Sequence, residues 1–239
     1  MKKNKNIFLG KKILIYGLGK SGISTFKFLR NKANIYLFDD NLKKNQKLIS
    51  FNKISKKNFD AIIVSPGIDI LNCKLSRFLK KNFDKIYTDL DIFYSYFDNE
   101  SISITGTNGK STTAKILHNV LLDQKKDVRL VGNIGNPLLS EKKINKKTIF
   151  VIEASSYQLD YSKIFSSKYA MILNISVDHI ERHRNLKNYV NAKFKLLDSQ
   201  TKNCFAFIKK NDDLINKKLN SKNFRSKIIK VDTKKSNSF

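Results

Sequence analysis

Short apolar runs recur along the chain, each ending at glycine, an acid or a polar turn, and they alternate with stretches of helical periodicity. Lys12-Ile-Leu-Ile-Tyr16 is a buried-strand pattern. It leads into Gly17-Leu-Gly-Lys-Ser-Gly22, after which a helix is predicted from Ile23 to about Asn31, offering Phe26, Phe28 and Leu29 to a core. A second strand is predicted over Asn34–Phe38 and another over Asp60–Val64, the latter ending in Ser65-Pro-Gly-Ile68. Leu75–Lys81 reads as a helix, Lys85–Thr88 as a short strand and Leu90–Tyr96 as an apolar helix. Asp98-Asn-Glu100 is a polar break. Beyond it Ser101–Thr105 alternates polar and β-branched residues as a strand does, and Ser111–Leu122 is helical with Ala114, Leu117, Val120 and Leu121 as its apolar positions. Thr148–Ile152 and Lys168–Ile175 are buried-strand patterns, Leu186–Ser199 a helix, and Cys204–Ile208 and Lys227–Val231 further strands. Strands alternating with helices imply an α/β fold. The polar break divides it into a domain over residues 1–97 and a second over 98–239.

Two of the turns carry chemistry. Gly106-Thr-Asn-Gly109 joins a strand to a helix headed by Lys110-Ser-Thr112, the layout of a phosphate-binding loop. Glycines let backbone N–H groups converge on a polyphosphate, and the helix N-terminus favours the anion. In that layout Lys110 reaches the β- and γ-phosphates, and the Ser111 or Thr112 hydroxyl sits on Mg²⁺. Ile104 stands where the general motif has its first glycine, so a plain glycine turn is the alternative. The other turn, Gly17–Gly22, with an acid at the end of the next strand (Asp39-Asp40), is the fingerprint of a Rossmann-like dinucleotide fold. The same turn binds nucleotide diphosphates generally, or serves as structure alone. Ser65-Pro-Gly67 lies at a strand's carboxyl end, where α/β sheets bind ligands, or is an ordinary Pro-Gly turn.

Three single residues follow. Glu153 ends a strand beside the phosphate loop, as a Mg²⁺ ligand does, although an acid there also caps a following helix. His179 and His183 are four apart, but no glutamate directly follows the first, as a zinc protease requires. His179, just past a strand end, is a candidate for a second divalent ion, although a lone histidine is more often structural; His183 and His118 read as ordinary. By charge pattern Lys193 is one more solvated lysine.

The formal charge of +27 raises the question of nucleic acid. The excess is nearly all lysine, spread with asparagine over every segment, as an AT-rich genome writes tolerant surface positions. No arginine-rich stripe or aromatic-interleaved basic patch is evident, so no specific nucleic-acid partner is expected. Cys73 and Cys204 lie far apart in apolar contexts and read as buried free thiols of a reducing compartment. No apolar stretch approaches membrane length and the N-terminus lacks a secretory core, so a cytoplasmic protein with no membrane partner is expected.

Seven stretches in order resemble the Mur ligases of peptidoglycan synthesis: Gly17–Ser24, Ser65–Ile68, Gly106–Thr112, Gly132-Asn-Ile-Gly135, Glu153-Ala-Ser-Ser-Tyr-Gln-Leu159, Asn174 with Asp178-His179, and Ala192-Lys193. The resemblance runs from about Lys12 to Asp213 and is closest to the members that add D-glutamate to UDP-N-acetylmuramoyl-L-alanine. It implies a Rossmann-like domain holding the UDP substrate through Leu18, Lys20, Ser21, Ser65, Pro66 and Gly67. It implies a central domain holding ATP at Gly106, Thr107, Asn108, Gly109, Lys110, Ser111 and Thr112. Asn133, Ser155 and Gln158 would line the channel for the muramoyl-alanine arm. Glu153 with Ser111 would bind one Mg²⁺ and His179 a second, and Lys193 matches the family's carbamylated lysine. The catalytic set is then Lys110, Lys193 and His179. The implied reaction forms an acyl phosphate from ATP, which the amine of D-glutamate attacks. The partners are small molecules, and a monomer is expected. Two departures stand out. The family has a longer central domain and a third domain, so this chain is expected to be a fragment, inactive alone. Asp40-Asn41 replaces the family's usual Thr/Ser-Arg. The readings kept beside this one are another Mur-type or a folylpolyglutamate-type ligase, an NAD-dependent oxidoreductase resting on Gly17–Gly22 alone, and a non-catalytic nucleotide-binding protein.

Overall fold

The computed structural model describes residues 6–41 and 48–232. Its contacts divide the chain into two units, one of Met1–Phe97 with Pro137–Lys142 and Tyr161–Phe165, the other of Asp98–Asn136, Lys143–Asp160 and Ser166–Phe239. The two short segments in the first unit lie within the part that the polar break assigns to the second.

The first unit runs β1 (Lys12–Tyr16), α1 (Lys20–Leu29), β2 (Asn34–Phe38), α2 (Phe51–Ile54), β3 (Ala61–Val64), α3 (Ser76–Lys81), β4 (Ile86–Tyr87) and α4 (Asp89–Tyr96). Its four strands are parallel in the order β2-β1-β3-β4. Strands buried on both faces explain the unbroken apolar runs, since helices cover such sheets. Leu14, Tyr16, Ile62 and Val64 meet Ile54, Phe59, Leu75 and Leu79 on one face. The helix after the glycine turn begins at Lys20, three residues before the expected Ile23, which is exposed. Gly22 therefore sits in the first helical turn. A Cβ there would lie 1.9 Å from the Gly17 carbonyl oxygen, so this glycine is required by close helix–loop approach.

The second unit runs β5 (Ser101–Thr105), α5 (Lys110–Asp123), β6 (Val128–Gly132), β7 (Ile149–Glu153), α6 (Ser156–Tyr161), β8 (Tyr169–Ile172), α7 (Ile180–His183), α8 (Leu186–Asp198), β9 (Phe205–Lys209), α9 (Asp213–Ser221) and β10 (Lys227–Val231). All six strands are parallel, in the order β10-β9-β8-β5-β7-β6. β8 is shorter than the apolar run Lys168–Ile175 because Leu173 closes the ladder on Thr105 and the next carbonyl, of Asn174, turns to Thr107. Of the expected core positions on α5, Ala114 is buried and Leu117 and Leu121 are half-buried, but Val120 is exposed. α9 escapes a reading by periodicity because only Ile215 of its residues is buried, and the side chain of Asp212 caps it. Both cysteines are free, but half-buried where the sequence suggested full burial.

The fully buried Asp91 ties the first unit together. One carboxylate oxygen completes a capping box with Thr88, and the other accepts from the Ser162 hydroxyl and the backbone N–H groups of Lys163, Ile164 and Phe165. Asp91→Ala strands these donors, of which the Thr88 and Phe165 N–H groups are buried. It is expected to lower the unfolding free energy by at least about 3 kcal/mol in a urea melt, and a loss below about 1 kcal/mol would contradict this role.

Candidate active site

β5 is flanked by β7 and β8, and the chain leaves its carboxyl end toward one side of the sheet before returning to the other. Ligands of open α/β sheets bind at such switch points. The turn here spans Gly106–Gly109, with φ of 157° and 80° at its two glycines. Thr107 N–H donates to the Asn174 carbonyl, and the Asn174 side chain grips the backbone of Asn108 from both sides, at 2.9 and 3.0 Å. The Lys110 ammonium folds back on the Thr107 carbonyl at 2.8 Å. Ser111 and Thr112 open α5 and are exposed.

The parallel register sets Glu153 opposite Ile104, one residue short of the end of β5. Its carboxylate is 1% exposed. One oxygen accepts from the Ser111 hydroxyl at 2.7 Å and the other from the Asn133 amide at 2.9 Å. Among the described residues Glu153 has no cationic partner within ion-pair distance. An anion so buried, held by two neutral donors, is costly unless a cation completes it. The helix cap is instead Ser155, which forms a capping box with Gln158: Gln158 N–H donates to the Ser155 hydroxyl oxygen, and the Gln158 carbonyl oxygen accepts from Ser155 N–H. Glu153 is thus free of the capping role that the sequence left open. Gly132, at φ 110°, lets β6 pass close enough for Asn133 to arrive, since a Cβ there would lie 2.3 Å from the Glu153 carbonyl oxygen.

Lys193 is the residue that charge pattern misplaces. Its side chain is 1% exposed and donates to the Gly106 carbonyl at 2.7 Å, with the amine 4.4 Å from the Tyr189 ring centre. Burial, aided by the Lys110 charge and opposed by Asp178, lowers its pKa from 10.5 to about 7. Helical spacing carried this signal: with Tyr189 four residues before and Leu197 four after, Lys193 lies on the apolar face of α8. His179 begins α7 in the left-handed region at φ 53° and remains half-exposed, 3.5 Å from Asp178. His183 is buried, bonded to Ser156, with its pKa lowered by desolvation. Among the described residues no three His, Cys, Asp or Glu side chains gather as a metal cluster. A divalent ion here would draw on Glu153, the Ser111 hydroxyl and ligand oxygens, the hard donor set that suits Mg²⁺.

In the first unit, Leu18 N–H donates to Asp39 and Asn41 N–H to that carboxylate's other oxygen. The fingerprint's acid is engaged in shaping its own loop. The Ser21 hydroxyl donates to Asp89, and the Ser65 hydroxyl to the Gly17 carbonyl at 2.6 Å, which joins the Ser-Pro-Gly turn to the glycine turn. Lys20 and Gly67 are exposed and Pro66 half-buried. Asp40, the departure noted above, accepts from the buried Tyr16 hydroxyl at 2.7 Å. Among the described residues no helix is long and apolar enough to cross a membrane.

Residues 104–239 match the family model of the Mur ligase middle domain. The chain is similar to the UDP-N-acetylmuramoylalanine–D-glutamate ligase of Rickettsia bellii, 38% identical over 210 residues, 83% of this chain and 46% of that protein. It is also similar to the ligase of the same name from Caldicellulosiruptor saccharolyticus, 34% identical over 208 residues, 80% and 46% of the two chains. The chain spans about half the length of the curated relatives it matches. Among solved structures, the UDP-N-acetylmuramate:L-alanyl-gamma-D-glutamyl-meso-diaminopimelate ligase of Neisseria meningitides shares the fold, with TM-score 0.58 at 13% identity, over 92% of this chain and 77% of that one. The UDP-N-acetylmuramate-alanine ligase of Thermotoga maritima does so at TM-score 0.50 and 20% identity, over 85% and 50%.

The lowered pKa of Lys193 has a signed consequence. Its amine is charged in the unfolded chain up to about pH 10.5 but neutral in the fold above about pH 7, so burial costs stability that grows as pH falls through that window and is constant below it. Relative to wild type, Lys193→Met is expected to gain a few kcal/mol between about pH 10 and pH 7 in paired urea melts. A pH-independent difference would show an ordinary, solvated charge.

Proposed function

The chain belongs to the Mur ligase middle domain family, and on that premise we propose that it serves the ATP-dependent joining of D-glutamate to UDP-N-acetylmuramoyl-L-alanine, in the making of peptidoglycan precursors. The observation that carries the reading is the contact between the hydroxyl heading α5 and the buried carboxylate ending β7. Those two groups, beside a phosphate-loop lysine, are what a magnesium–triphosphate site needs.

In this reading the backbone of Gly106–Gly109 and Lys110 bind the ATP phosphates, and Ser111, Thr112 and Glu153 hold Mg²⁺, with Asn133 fixing the carboxylate's orientation. Bound there, Mg²⁺ would offset the repulsion between triphosphate and substrate carboxylate. The near-neutral Lys193 amine suits addition to CO₂; the resulting carbamate, with His179, would serve a second ion. The terminal alanine carboxylate attacks the γ-phosphorus and ADP departs. The amine of D-glutamate then attacks the carbonyl carbon, loses a proton and expels inorganic phosphate, leaving an amide. The first unit would take the UDP moiety at Leu18, Lys20, Ser21 and Ser65–Gly67, and Asn133, Ser155 and Gln158 the muramoyl-alanine arm. Under this reading the protein works in the cytoplasm, as a monomer, on small molecules.

Calorimetry on this chain tests the reading. Mg-ATP and UDP-N-acetylmuramoyl-L-alanine are expected to bind and NAD(H) not to. Lys110→Ala should weaken Mg-ATP by about 100-fold or more, the loss of a charge-assisted phosphate contact, and leave the UDP substrate within about threefold. Binding of NAD(H) without Mg-ATP would replace this proposal with the dinucleotide reading.

A further inference from the structure

His183 has no place in the reaction described above, yet it stands at the centre of the residues that border the phosphate loop. It is 4% exposed. Its ring stacks on Tyr157 at 5.5 Å between centres with 20° between planes, and leans on Tyr189 at 5.3 Å. Each tyrosine then touches a group of the candidate site. Tyr189 shares a hydrogen bond with the Thr107 hydroxyl at 3.2 Å, and its face lies 4.4 Å from the Lys193 amine. Tyr157 lies 5.1 Å from the His179 ring, which also reaches Tyr189 at 6.1 Å. Three groups from three elements therefore rest on two rings, and one imidazole is wedged between those rings.

We propose that His183 is a positioning residue: its ring holds Tyr157 and Tyr189 apart at a fixed spacing, and through them sets Thr107, His179 and Lys193 around the phosphate loop. His183 is itself anchored from both of its neighbouring segments. Its Nε2 is 3.0 Å from the Ser156 hydroxyl on α6, its Nδ1 lies 3.8 Å from Asp160, and its carbonyl accepts from the Asn188 side chain on α8. These contacts seat the segment, while the spacing of the two tyrosines comes from the bulk of the ring packed between them. Aromatic contacts of this kind have a directional preference beyond the area they bury. Partners that orient metal-ligating residues typically matter about 10- to 100-fold in metal affinity or activity. What the held groups do rests on the ligase reading; the holding itself does not.

The shape of the ring and the bond to Ser156 separate by substitution. His183→Phe keeps a ring and loses the bond, His183→Gln keeps a bond to Ser156 and loses the ring, and His183→Ala loses both. The chain labelled at threonine methyls and lysine ε-carbons reports Thr107 and Lys193 directly by NMR. The proposal expects His183→Phe to leave both signals near their wild-type positions, and His183→Gln and His183→Ala to displace both. Calorimetry with Mg-ATP should follow the same order, within about threefold for Phe and weakened about tenfold or more for Gln and Ala. Melting temperatures measured alongside identify a merely structural role, for which signals and affinity would follow stability and not the ring. If His183→Ala leaves both signals in place, or if Gln preserves them where Phe does not, the proposal is overturned. A failure of His183→Ala to fold leaves the Phe and Gln comparison to decide. A wild-type chain that does not bind Mg-ATP would count against the ligase reading, while the NMR shifts would still judge the wedge.

Discussion

The site depends on a buried carboxylate that has no countercharge among the described residues. Glu153 is almost wholly removed from solvent, and among the described residues its side-chain oxygens are met only by a serine hydroxyl and an asparagine amide. Two neutral hydrogen bonds do not compensate for the hydration such an anion gives up. A cation drawn to that position, with phosphate oxygens beyond it, would make the arrangement favourable. Much of the surrounding structure can be understood as holding these groups in place: Gly132 admits Asn133, the Ser155–Gln158 box starts α6 without using the acid, and β7 delivers the carboxylate at the level of Ile104.

The parallel sheet does the positioning. β5 sits between β7 and β8, so three consecutive carboxyl ends present the Gly106–Gly109 turn, Glu153 and Asn174 side by side. Asn174 clamps the loop backbone from the β8 side while Ser111 reaches Glu153 on the β7 side. The loop is fixed from both flanks before any ligand arrives, which lowers the ordering cost of binding. Lys193 adds a third constraint from beneath, through the Gly106 carbonyl. Its desolvated amine, with a pKa lowered to about 7, adds less positive charge to the crowded centre than an ordinary lysine, which suits a site already containing Lys110.

Most of this was legible in the sequence where a local rule had no competitor. The apolar runs gave the strands because parallel strands covered on both faces favour continuous apolar sequence, although β5 buries Ser101, Ser103 and Thr105 as well. Gly106–Thr112 gave the loop because few patterns place Lys-Ser after such a turn. What escaped was governed by long-range packing. Gly22 reads as part of a turn, but the close approach of α1 to Gly17 draws it into the helix. Lys193 reads as solvated by charge and buried by helical phase, and tertiary burial decided for phase. Glu153 was ambiguous between ligand and cap until Ser155 took the cap. α9 was invisible because one buried residue makes no period.

The most direct measurement is paramagnetic broadening by Mn²⁺, a Mg²⁺ surrogate, in NMR spectra of the ¹⁵N-labelled chain with ADP present. The earliest losses are expected at the Ser111 and Glu153 amides and the Asn133 side-chain amide, and Glu153→Gln is expected to abolish them. Broadening that spares these three groups, or that survives in Glu153→Gln, would show that the buried carboxylate does not hold the metal.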